Sequence, residues 1–105
     1  MTHYVYHLID PRDKTVRYVG KTASPKSRLR AHIAESRERQ NTRKKRWIAD
    51  LLAAGLEPVM ILAASVPDEA TARSIESAHC HQHAATIYNI HDPAKGAKDL
   101  KRSGA

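Results

Sequence analysis

Apolar and polar positions divide the chain into runs of two kinds. Tyr4-Val5-Tyr6-His7-Leu8-Ile9 is aromatic and β-branched, which favours a strand. Asp10 to Thr15 has turn chemistry, and Val16-Arg17-Tyr18-Val19-Gly20 reads as a second strand, so a β-hairpin opens the chain. Ser24-Pro25 places an N-cap before a proline at the first helical position. That helix is expected to reach about Arg39, with Leu29, Ile33 and Ser36 on one face. A second helix spans about Thr42 to Ala54, with an apolar stripe of Trp47, Ile48, Leu51 and Leu52 and a stop at Gly55.

Pro58-Val59-Met60-Ile61-Leu62-Ala63 is apolar throughout, which predicts a third strand at the centre of the sheet. Pro67-Asp68-Glu69 opens a third helix with acids in its first turn, and it carries Ile75, Glu76 and the histidines to about His83. Thr86 to Ile90 reads as a short extended segment. From Asp92 onward the composition predicts a disordered basic tail. The order is therefore ββααβα plus a short strand: an α/β sandwich of one sheet with helices packed on it. One domain is expected over residues 1–91, followed by the tail over 92–105.

Charge adds a direction to this frame. Of the net +7, the whole excess falls in residues 24–46, where nine basic side chains face Glu35 and Glu38. Lys26, Arg30, Arg43, Lys44, Lys45 and Arg46 are the candidates for contact with a phosphate backbone, against the alternative of a solvated helix face. No apolar run approaches a membrane span, and no apolar leader pattern follows Met1. The single Cys80 excludes an internal disulfide and suits a reducing compartment. A cytoplasmic protein without a membrane partner is expected, and the sequence does not define its oligomeric state.

The candidate chemistry is spread along the chain. Tyr6 and Tyr18 lie on paired strands, where a hairpin can place both hydroxyls on one side. Gly20 ends the second strand and permits close approach. Arg28 and His32 are four apart on the first helix, so they share a face, and a guanidinium can hold phosphate oxygens bidentately. Glu76, among small and apolar neighbours, can hold Mg²⁺ if waters and substrate oxygens complete the octahedron. His79, Cys80, His81 and His83 have spacing that zinc can use, set against a reading as surface histidines. Asn89 by itself is uninformative.

Taken in order, Tyr4-Val5-Tyr6, Tyr18-Val19-Gly20-Lys21-Thr22, Arg28 with His32, Glu76 and Tyr88-Asn89-Ile90 resemble the GIY-YIG nuclease superfamily over roughly residues 3–91. The resemblance implies a small α/β fold with a central three-stranded antiparallel sheet flanked by helices. It also implies DNA cleavage with a divalent ion, Mg²⁺ or Mn²⁺. It makes Tyr6 and Tyr18 the catalytic tyrosines, Arg28 the phosphate-stabilising group and His32 its helix partner. Glu76 becomes the metal ligand and Asn89 a supporting polar group. Tyr4 stands where the first motif usually has glycine, and valine replaces isoleucine in both motifs. A free tyrosine is a poor base at neutral pH, so neighbouring Lys21, Arg28 or the metal is expected to favour tyrosinate. A non-catalytic DNA-binding module on the same fold, and an RNase or nuclease toxin, are the alternatives.

Overall fold

The structure is a computed structural model and describes residues 1–89. The elements are β1 (His3–Ile9), β2 (Val16–Thr22), α1 (Pro25–Glu38), α2 (Arg43–Ala53), β3 (Val59–Val66) and α3 (Glu69–Gln82). The expected basic tail, and Ile90 of the last motif, lie outside the described residues.

The hairpin is antiparallel, with Tyr6 opposite Gly20 and Leu8 opposite Tyr18. β3 pairs antiparallel with the other side of β1, so the sheet order is β2-β1-β3. This corrects the placing of the third strand. β1 is central and β3 is an edge, with Val59, Ile61 and Leu62 each more than 40% exposed. The apolar run signalled strand formation correctly but not two-sided burial. The chain returns from α2 to the one free edge of the hairpin's first strand, and β3 then has no further neighbour among the described residues.

Strand alternation divides the core between the two faces of the sheet. Tyr6 and Leu8 pack with Trp47, Ile48 and Leu51 of α2 and with Leu29 and Ile33 of α1. Val5 and Val19 pack with Ala72 and Cys80 of α3. Two of the three helices begin on side-chain caps: Thr42 accepts from the Lys45 N–H and Asp68 from the Thr71 N–H. Ser24 occupies the cap position of α1 but makes no capping hydrogen bond, so that start rests on Pro25. Gly55 follows α2 with φ of +78°, a left-handed conformation suited to glycine.

Asp10, at the start of the hairpin turn, fixes α2 against the sheet. Its carboxylate accepts from the Arg12 side chain at 2.7 and 3.0 Å and from the Trp47 indole N–H at 2.9 Å. The Arg12 bonds, helped by Trp47, hold it well below the usual carboxylate range in spite of burial. At the other end, no strand forms over Thr86–Asn89: residues 83–86 are a turn and 87–89 are irregular. Side chains and one backbone bond, from the Tyr88 N–H to the Arg17 carbonyl at 2.6 Å, replace a ladder there. Thr86 Oγ1 donates to the Val16 carbonyl at 2.8 Å, and the Asn89 amide brackets both backbone groups of Val19. No helix among the described residues is long and apolar enough to cross a membrane.

Candidate active site

The hairpin register builds the centre of the site. Tyr6 and Tyr18 sit diagonally across β1 and β2, with ring centroids 6.2 Å apart. The ring of Tyr6 lies over Gly20. A Cβ at position 20 would fall 2.5 Å from the Tyr6 hydroxyl and 2.6 Å from the ring carbon bearing it. Gly20 is therefore needed for room.

His32, fully buried on the inner face of α1, points Nε2 at the Tyr6 hydroxyl at 2.7 Å. Its ring also lies edge-on to Tyr18, 5.0 Å between centroids. Arg28, one helical turn earlier, is half-buried and its charge acts on both tyrosines. It forms a longer ion pair with Glu35, 3.6 Å. Glu76 is half-buried on α3, midway between the buried Ala72 and Cys80, so it lies on the inward line of that helix. Its charge also acts on both tyrosine hydroxyls.

Lys21, Asn89 and the basic residues are arranged differently. Lys21 pairs with Glu69 at 3.1 Å. Asn89 serves the outer edge of β2 through Val19. Lys26, Arg30, Arg43 and Arg46 are exposed and Lys45 partly so. Lys44 departs from the expectation of a surface phosphate contact: it is 6% exposed, with Nζ 3.0 Å from His32 Nδ1.

Burial raises both tyrosine hydroxyls above their ordinary range, Tyr6 furthest. The other tyrosine and Glu76 push Tyr6 the same way, and Arg28 offsets only part of it. The expectation that Lys21 and Arg28 favour tyrosinate is therefore not met by these side chains alone. Lys21 is engaged with Glu69, and desolvation outweighs Arg28.

Burial has the opposite effect on imidazoles. His32 is lowered from 6.5 to about 3, first by desolvation and then by Lys44 and Arg28. On the α3 side of the sheet, His7 is lowered to about 4 by desolvation and by His79 and His83. Its Nε2 lies 2.9 Å from His79 Nδ1. Both rings bind fewer protons in the folded chain than in the unfolded one. Their stabilising effect is complete above pH 6.5 and is lost as pH falls toward 4 and 3. Urea midpoints measured from neutral to acid pH should fall, with His32 alone contributing a loss on the order of 2 kcal/mol by about pH 4.5. His32→Gln should flatten that limb.

The histidines of α3 do not form a zinc site: among the described residues no group of three or more His, Cys, Asp or Glu side chains could hold a metal. Cys80 is buried, and His79 and His83 face His7. A metal held through Glu76 would therefore rest on one carboxylate. That fits a hard cation such as Mg²⁺, which keeps waters and takes substrate oxygens, and does not fit structural zinc.

Paired tyrosines on a hairpin, an arginine and a buried histidine on the following helix, and an inward carboxylate on the last helix define a small α/β domain of the nuclease class. Residues 2–89 match the family model described as the GIY-YIG catalytic domain. The chain belongs to the GIY-YIG family. No curated protein and no solved structure gives a significant match.

Proposed function

We propose that the protein is a divalent-metal-dependent endonuclease that hydrolyses DNA phosphodiester bonds, and that it works in the cytoplasm. The observation that carries this reading is the convergence of Tyr6, Tyr18, Arg28, His32 and Glu76, drawn from four elements, on one pair of hydroxyls.

Each side chain has a part that its surroundings support. Tyr18 is only partly buried and Tyr6 is 1% exposed, so Tyr18 is the hydroxyl that an attacking water can reach. Tyr6, held by His32, shapes the inner wall. Arg28 offsets the charge that builds on the phosphate, where a planar guanidinium acts most strongly. Glu76 is the residue that would hold Mg²⁺ or Mn²⁺, and a bound ion supplies charge stabilisation at the leaving 3′ oxygen. Neutral His32 cannot carry charge at ordinary pH, so its part is to orient Tyr6.

DNA would lie along α1 and the start of α2. A cleft of about 320 Å³ opens between the start of α2 and residues 87–89, lined by Arg43, Arg46, Tyr88 and Asn89 among others. If Lys26, Arg30, Arg43, Lys45 and Arg46 each neutralise a phosphate, log K should fall against log salt with a slope of about −4 to −5. Changing Arg43, Lys45 and Arg46 to Gln should flatten the slope by about 3 and weaken all sequences alike, because these residues meet backbone. An unchanged slope would place the DNA elsewhere.

The deciding experiment is incubation with supercoiled plasmid, with Mg²⁺ or with chelator, beside an RNA of matched length. Ion-dependent nicking or linearisation is the expected result. Retention of DNA without cutting would identify a binding module, and cleavage of RNA alone would identify an RNase.

A further inference from the structure

Lys44 belongs to the basic cluster by sequence but not by position. Its ammonium is buried beneath the site, 3.0 Å from His32 Nδ1, 5.0 Å from the centroid of the Tyr18 ring and 4.0 Å from Glu35 Oε1. Burial lowers its pKa, and Glu35 opposes that shift. The carboxylate and the ring face both favour the charged form. An ammonium has hydrogens to donate and no lone pair to accept with. His32 Nδ1 must then be the acceptor, and a neutral imidazole carries its one hydrogen on the other nitrogen. That nitrogen faces the Tyr6 hydroxyl at 2.7 Å.

We propose that Lys44 is a positioning residue that fixes the tautomer of His32. In that tautomer Nε2–H donates to the Tyr6 oxygen, and the Tyr6 hydroxyl hydrogen turns away from His32. The opposite tautomer would reverse the chain: Tyr6 would donate to Nε2, and its lone pairs would face away from His32. The order Lys44–His32–Tyr6 thus sets which way the inner hydroxyl faces. The expected effect on the cleavage rate rests on the nuclease reading; the tautomer does not.

The test has two arms. In ¹⁵N NMR of the wild type at neutral pH, His32 (assigned by its loss in His32→Gln) should show a protonated Nε2 and an unprotonated Nδ1. Lys44→Met, which keeps the length without the donor, should move the ring toward the Nδ1–H form. It should also lower kcat about 10- to 100-fold, the size of loss typical when the hydrogen-bond partner of a metal-binding histidine is removed. KM and the salt slope should stay near wild type, and Lys44→Arg should restore part of both the tautomer and the rate. A wild-type ring protonated at Nδ1, or a tautomer unmoved in Lys44→Met, would overturn the proposal. So would a higher KM with a salt slope smaller by about 1, the signature of a phosphate contact. If Lys44→Met does not fold, the wild-type ring still decides. If the wild type cuts no DNA, the nuclease reading falls while the ring measurement stands.

Discussion

Glu76→Ala should abolish cleavage of supercoiled plasmid and leave DNA affinity close to wild type. The carboxylate lies on the inward line of α3, and it is proposed as the one protein ligand of the ion among the described residues. The basic side chains proposed to hold DNA are on α1 and α2 instead. A second readout does not depend on activity. Glu76 is among the causes that raise Tyr6 and Tyr18, so its removal should move tyrosine titration, followed in the ultraviolet, to lower pH. Full activity with Mg²⁺ would remove Glu76 from the mechanism. A lost activity with an unmoved titration would place the carboxylate too far from the tyrosines to share their site.

Gly20→Ala should damage both stability and catalysis. The backbone at Gly20 is not left-handed, so alanine meets no conformational barrier there. The barrier is contact: the new methyl would fall 2.5 Å from the Tyr6 hydroxyl and 3.0 Å from Tyr18 Cε2. Tyr6 cannot swing into solvent, because it is 1% exposed and its ring is rigid. The strand must shift or the ring must tilt, and such overpacking typically destabilises by roughly 1–3 kcal/mol. Either movement breaks the 2.7 Å approach of Tyr6 to His32. Urea unfolding and the plasmid assay together check this. Wild-type values in both would mean that the ring does not lie over the glycine.

Local signals carried most of the element order. Pro25, Thr42, Asp68 and Gly55 act on the turn of chain beside them, and α1, α2 and α3 begin or end where they stand. The tyrosine hairpin is similarly local, since a short turn leaves little choice of partner. The motif order from Tyr4 to Asn89 was legible for the same reason: it needs only residue type and spacing. One clue in that pattern was available and pointed elsewhere than the charge did. Lys44 stands three, four and seven residues before Trp47, Ile48 and Leu51, on the buried stripe of α2. Its place in a basic run emphasises its charge, while its phase on the helix places it inward.

The chain by itself determined the three strands and three helices, though not the irregular path of residues 87–89, and which residue types could meet in a phosphate-cleaving site. Tertiary structure alone decided that β3 is an edge, because that depends on where the α1–α2 crossover returns to the sheet. It also decided that Asp10 anchors Trp47 across 37 residues, and that α2 thereby carries Lys44 beneath His32. The direction of the tyrosine shifts belongs with these. The neighbouring charges were visible along the chain, but desolvation is a property of the packed interior, and here it outweighs Arg28.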